Sequence, residues 1–408
     1  MSEVVNIPQL RFPEFNGGWK ESRIGKIYKD LRTGSTPSRA VKSYFKGDNP
    51  WITSGELKYN RISTTFEQIS DEAIKDTNLV LYQPGTLFIA ITGLEAPGTR
   101  GKCAINAVPS TTNQSCLAFR KVDSVDTIYM FYWYLKYGKP LYFKYAQGTK
   151  QQSFNNKIVE KFQIFLPNKP EQQKIAAFLS AVDNKIEQLS KKQELLGEYK
   201  KGLMQQIFSQ AIRFKADDGC DFPDWEEKSL GELFNYKNGG SFENEVVKDG
   251  LYNLITLNSI TIDGELKNEH KKINSFDNSL KINDLIMVLS DVAHGNFLGL
   301  TAIIPEDNSY VLNQRMGALK SKGLNNVVFL RLLINYNQKY FKLHGQGSSQ
   351  QNLSKGDILK FELLLPNRNE QQKIANFLSS IDTKIEQVGK QLDASKQFKK
   401  ALLQQLFV

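Results

Sequence analysis

One stretch of 38 residues occurs twice in this chain, and it constrains the fold more than any other feature. Residues 171–208 read EQQKIAAFLSAVDNKIEQLSKKQELLGEYKKGLMQQIF, and residues 370–407 read EQQKIANFLSSIDTKIEQVGKQLDASKQFKKALLQQLF. They align without a gap at an offset of about 200 residues, with more than half the positions identical. Apolar residues at Ile175, Leu179, Val182, Ile186 and Leu189 continue to Leu196, Leu203 and Ile207 in the alternating four-three spacing of a coiled-coil seam. The second copy places Ile374, Leu378, Ile381, Ile385 and Val388 on the same pattern, followed by Leu392, Leu402 and Leu406. Neither copy contains a proline, so each is expected to form one helix, a rod on the order of 55 Å at about 1.5 Å per residue. A lone helix cannot bury such a stripe, and the copy with the matching stripe is its economical partner, giving an antiparallel pair. The alternative is that each helix packs on its own neighbouring domain. Gln193, Lys200, Ser395 and Lys399 interrupt the seam. Polar seam residues of this kind either set register or face a partner protein.

At 408 residues the chain is too long for one core, and the repeat divides it into two halves, each expected to be a globular part plus a helix: 1–169, helix 170–209, 210–368 and helix 369–408. Hydrophobic residues at 40% and aromatics at 11% suffice for two ordinary cores. No apolar run approaches the roughly 20 residues that span a bilayer, and MSEVVNIPQLRF has no signal-peptide core. Cys103, Cys116 and Cys220 are few, odd in number and without metal-ligand spacing, so a reducing cytoplasm is the expected location. The net charge of +10 suggests an anionic partner. That charge is uneven, about +9 over residues 1–169 and about −2 over 211–369, which makes the first globular part the better match for phosphate.

The duplication extends to the globular parts, since FPEFNGGWKESRIG (12–25) is answered by FPDWEEKSLG (222–231). LFIAITG (87–93) and LIMVLSD (285–291) read as strands, as do CAINAV (103–108), TAIIPE (301–306), CLAFRK (116–121) and GALKSK (317–322). TIYMFYWYLKY (127–137) and NVVFLRLLINY (326–336) read as helices on the sheet, and FQIFLP and FELLLP as strands leading into the long helices. Each globular part is thus expected to be α+β.

Polar, glycine-bearing loops supply the candidate binding residues. In the first half these are Thr33, Ser35 and Thr36 of RTGSTPSR, Ser54 of TSGEL, and Thr92, Arg100 and Lys102 of TGLEAPGTRGK. Asn113, Gln114, Gln147, Thr149 and Lys150 complete that set. The second half offers Asn238 and Ser241 of YKNGGSF, Ser290 of SDVAHGNF, the run Asn313, Gln314, Arg315, and Gln346, Ser348 and Ser349. Their amides, hydroxyls and cations are the groups that hold phosphates and read base edges. The amide pair 113–114, matched at 313–314, reads equally well as a turn former. No catalytic pattern emerges. There is no GxxxxGK[ST] or GxGxxG loop, no Pro-Pro pair of an amino-methyltransferase loop, and His270, His294 and His344 are scattered. Asp224, Glu226 and Lys228 imitate a metal-nuclease motif, but they are spaced too tightly and have no counterpart in the first half.

The order globular part, LP-x-x-x-EQQKIA-x-FLS-x-x-D-x-KIEQ helix, globular part and second such helix resembles the specificity subunit of type I restriction-modification systems, over essentially the whole chain. The resemblance implies an α+β fold with pseudo-two-fold internal duplication: two strand-rich target recognition domains joined by two long antiparallel coiled-coil helices. It further implies double-stranded DNA as ligand, each domain reading one half of a split, asymmetric target while the helices set the gap. Two modification (methyltransferase) subunits carrying S-adenosylmethionine would dock on the chain, with the motor-nuclease restriction subunits joining through them. This chain would then bind no cofactor or metal, have no catalytic centre and touch no membrane. RTGSTP and TSGEL resemble loops that recur in the family's recognition domains, whereas YKNGGSF departs from the Thr-Gly-x-Thr-Pro form. The competing readings are a self-contained restriction or methylation enzyme, against which the missing methyltransferase loop speaks, and a coiled-coil scaffold whose domains bind protein.

Overall fold

A computed structural model describes residues 6–93, 99–146, 152–153, 155–292, 296–347 and 350–408. The helices that organise it are α1 (Thr127–Tyr145), α2 (Lys169–Phe208), α3 (Val327–Tyr336) and α4 (Arg368–Gln405). The chain divides into two compact units, Met1–Lys191 with Gly389–Val408, and Lys192–Val388, so both long helices contribute to both units.

In the first unit the main sheet contains β1 (Arg32–Thr33), β2 (Arg61–Ile62), β3 (Leu87–Ala90), β4 (Cys103–Asn106) and β5 (Cys116–Phe119), in the order β1-β5-β3-β4-β2. β3, β4 and β5 are buried on both faces, which is why they read as continuous apolar runs without alternation. One face of the sheet meets α1, whose Tyr129, Tyr134 and Tyr142 are fully buried. Asp126 caps α1, its carboxylate accepting from the backbone of Ile128 and Tyr129. The helix runs on past residue 137 through Pro140 to Tyr145. Lys20–Arg23 pairs antiparallel with Gln163–Leu166, the strand that feeds α2.

The second unit repeats this plan. β6 (Phe234–Asn238), β7 (Leu285–Val288), β8 (Thr301–Ile303) and β9 (Met316–Ser321) form a sheet in the order β6-β9-β7-β8. It packs on α3, capped by the Asn326 side chain, and Glu226–Ser229 pairs with Glu362–Leu365 ahead of α4.

The seam separates into two similar constructions, one in each unit. Ile175 and Leu179 are buried in the core beneath Trp19 and Tyr129, and Leu402 near the end of α4 and Leu406 and Phe407 just after it join them, with the Tyr129 and Phe407 rings 5.2 Å apart. Ile374, Leu378 and Ile381 lie likewise under Trp225 and Phe329, joined by Ile207 from the end of α2. Val182, Ile186 and Ile385 are half-buried, and Leu189 and Val388 are buried. The two packing alternatives left open by the sequence are therefore combined: each helix begins on its own globular part and receives the antiparallel end of the other. The two seam lysines are paired as well. Lys399 Nζ lies 2.6 Å from Asp183, and Lys200 Nζ 2.6 Å from Asp382, the same contact displaced by one repeat.

Candidate nucleic-acid interface

The residues that join the globular parts to the helices form two matching polar networks. Glu171, fully buried in the first turn of α2, accepts from Arg11 Nε and Nη2 at 2.8 Å each and from Trp19 Nε1 at 3.2 Å. Glu370 accepts from Arg213 Nε (2.8 Å) and Nη2 (2.9 Å) and from Trp225 Nε1 (3.1 Å). These bonds raise the pKa of both guanidinium groups, holding the cations charged. The next residue carries the second link. Gln172 Oε1 accepts from Asp126 N (2.8 Å) and its Nε2 donates to Pro167 O (3.0 Å); Gln371 does the same with Asn326 N (2.9 Å) and Pro366 O (2.8 Å). Each Glu-Gln pair thus ties the N-terminus of a long helix to the preceding strand, the sheet-covering helix and the entry segment of its unit. Their repetition was visible in the sequence; their role as buried polar anchors was not.

A polar edge lies at one end of each sheet. In the first unit Thr33 opposes Leu117, and Gly34 N donates to Asn113 O at 3.1 Å. A Cβ on Gly34 would fall 1.6 Å from Thr112 O, so only glycine permits this approach. Thr36 Oγ1 donates to Gln114 Oε1 at 2.7 Å, and Asn113 N donates to Ile52 O, which brings the TSGEL segment alongside. There Thr53 and Glu56 form a capping box that holds half-buried Ser54 in a short 3-10 turn. Thr92 opposes Ser153, and Ile91 N donates to Ser115 O. Thr33, Ser35, Thr36, Ser54, Thr92, Asn113 and Gln114 therefore gather on neighbouring segments. Arg100 and Lys102 sit apart, half-buried in a turn whose Gly101 (φ +69°) abuts the backbone of Gly138 and Lys139 in α1.

The second unit assembles the same edge from different side chains. Asn238 opposes Gly317, and Gly239, whose Cβ would lie 2.0 Å from Asn313 O, takes the place of Gly34. The YKNGGSF segment, which departs from the Thr-Gly-x-Thr-Pro form, thus occupies the equivalent position. Ser241 is exposed beside it. Asn313 is buried, its Oδ1 accepting from Phe242 N (3.2 Å) and its Nδ2 donating to Glu243 Oε2 (2.9 Å), so this amide serves the fold, as the turn-former reading allowed. Ser290 is also buried; it opposes Asn352 and accepts from Gln350 Nε2 at 2.5 Å. Gln346 joins through two backbone bonds to Asn352. Gln314 and Arg315 are exposed and line two clefts of about 260 and 390 Å³. Thr256, Asn258 and Lys271 line the first cleft, and Asn238, Gln350 and Asn352 the second. Gln147, Thr149, Lys150, Ser348 and Ser349 lie outside the described residues.

Sequence reading missed Thr256–Ser259, the counterpart of Thr53–Glu56. The available signal was a threonine three residues before a side chain able to close a capping box. It also missed Gln350 and Asn352, whose place depends on pairing with Ser290 some 60 residues away. Asp224, Glu226 and Lys228 lie by an exposed outer strand, where Lys228 pairs with Glu226 at 3.4 Å. No helix among the described residues is long and apolar enough to cross a membrane.

Two α+β units of one plan, each presenting a loop-built polar edge and each including parts of both long helices, define an internally duplicated α+β protein. The chain belongs to the Methylase_S family, the type I restriction modification DNA specificity domain, whose model matches residues 16–196 and 223–394. It is 25% identical over 418 residues to the type I restriction enzyme MjaIX specificity subunit of Methanocaldococcus jannaschii, covering 95% of each chain. The MjaVIII specificity subunit of the same organism is 25% identical over 415 residues, covering 97% of this chain and 92% of its own. Among solved structures, a type I restriction-modification S subunit from M. genitalium shares the fold, with a TM-score of 0.61 at 19% identity over 98% of this chain and 99% of that one.

Proposed function

We propose that this chain is the DNA-reading subunit of a type I restriction-modification complex, and that each globular unit reads one half of a split, asymmetric duplex target. The observation that carries the reading is the pair of polar edges. Both are built on similar backbone, with Gly34 and Gly239 at matching strand ends each packed against a carbonyl of the neighbouring segment, yet the outward side chains differ: Thr33, Thr36 and Gln114 on one, Asn238, Gln314 and Arg315 on the other. Similar scaffolds with different side chains suit two half-sites of different sequence. The long helices set the gap between half-sites and dock two methyltransferase subunits, through which the restriction subunits join. S-adenosylmethionine belongs to those partners, and this chain contributes recognition without a catalytic centre or a cofactor of its own.

The test is an exchange of residues 1–169 for those of a homologue, followed by methylation mapping of the reconstituted complex. One half-site is expected to change while the other half-site and the gap persist. A change in both half-sites, or in the gap alone, overturns the assignment.

A further inference from the structure

The two polar edges differ at one position in a way that bears on what each reads. Ser115 and Arg315 occupy equivalent backbone sites, since Ile91 N donates to Ser115 O and Leu289 N to Arg315 O. Ser115 is buried, and its N–H donates to Asn113 Oδ1, so the first unit presents no cation there. Arg315 is exposed on the wall common to the two clefts. Among the described residues its guanidinium has no hydrogen bond or ion pair, whereas nearby cations of the unit are engaged: Lys271 with Glu243, Lys237 with Asp277 at 3.9 Å, and Lys320 with Asp284 at 3.5 Å.

In the second cleft the polar neighbours of Arg315 are neutral amides, Gln314, Asn238, Gln350 and Asn352, and in the first the charged lining is the mutually neutralising pair Lys271 and Glu243. The unit as a whole is not basic, with a net charge of about −2 over residues 211–369. A surface built to hold phosphate gathers cations. A single unpaired guanidinium beside amides and an already neutralised ion pair is instead suited to reading a base edge, because the planar fork matches the O6 and N7 acceptors of guanine bidentately.

We propose that Arg315 is a specificity-determining residue that reads a guanine in the half-site of the second unit, and that the first unit has no equivalent contact. This rests on the functional reading above. The test is methylation mapping of the whole complex carrying wild-type chain, Arg315→Ala or Arg315→Lys, with DNA binding measured on matched and unrelated duplexes. The expected result is a guanine at one position of one wild-type half-site. Discrimination at that position alone falls on the order of tenfold to a hundredfold in Arg315→Ala and is not restored by Arg315→Lys, which keeps the charge but loses the fork. Equal weakening on all duplexes with specificity intact, or full rescue by lysine, makes Arg315 a phosphate contact and overturns the proposal while leaving the function standing. A wild-type complex that methylates no split target overturns both. Arg315 is exposed, so its variants are expected to melt with the wild type.

Discussion

Glu171 and Glu370 are single residues on which a unit's geometry depends. Each is fully buried and held by an arginine and a tryptophan, and removing one partner of a buried pair leaves the other charge uncompensated. Glu370→Ala is therefore expected to destabilise the second unit by about 3–5 kcal/mol in urea unfolding. A loss below about 1 kcal/mol, the range of exposed ion pairs, would show that the network is dispensable. The cysteines make a second prediction at this scale. Cys103 and Cys116 are buried in β4 and β5, and burial raises both thiol pKa values, Cys116 to about 12, so neither forms thiolate at neutral pH. Cys220 is exposed. A thiol reagent on the native protein is expected to label Cys220 alone and to reach the other two only on unfolding; early labelling of Cys103 would contradict the packing of the sheet.

Among the elements, the long helices derive their stability unevenly along their length. Leu179 and Leu378 are fully buried where each helix meets its own globular part, whereas Ile186 and Ile385 are only half-buried. Leu378→Ala is expected to cost about 2–5 kcal/mol, clearly more than Ile385→Ala, as measured by denaturant midpoint; equal losses would mean that the seam packs uniformly. The paired seam lysines lie between. Lys200 and Asp382 are 20% and 34% exposed, so their coupling in a double-mutant cycle is expected to be about 0.2–1 kcal/mol. Their contribution is to register, because Lys399 with Asp183 repeats the contact at the other end of each helix. Lys200 and Lys399 already stood out as breaks in the apolar pattern, but their acidic partners lie more than 180 residues away and no local pattern names them.

For the whole molecule, the proposed function makes binding salt-sensitive and spacing dependent on helix length. The +10 charge, concentrated on residues 1–169, points to phosphate contacts. If about six are made, affinity of the complex for DNA is expected to fall about a thousandfold between 50 and 200 mM salt, and a flat response would refute a phosphate-driven association. Inserting about four residues after Leu189 adds roughly one turn, about 5–6 Å of rod, or one to two base pairs at roughly 3.4 Å each. Methylation mapping is expected to show a gap longer by one or two bases with the half-sites unchanged; altered half-site bases would refute the division of labour.

By itself the sequence determined the two long helices, the apolar strands and the duplication that relates them. Each of these follows from the period of apolar residues or from self-similarity along the chain, which are local properties. The tertiary structure alone decided the rest. Gly34 and Gly239 are required by a carbonyl on another strand, and Asn313 is spent inside the fold although Gln314 and Arg315 beside it face outward. Glu171 and Gln172 act as anchors only because Arg11, Trp19 and Asp126 converge on them. A side chain's role at such places is set by its partners in space, and in this chain those partners come from segments distant in sequence, where the direction of one backbone against another chooses which polar groups are buried and which are left free to bind.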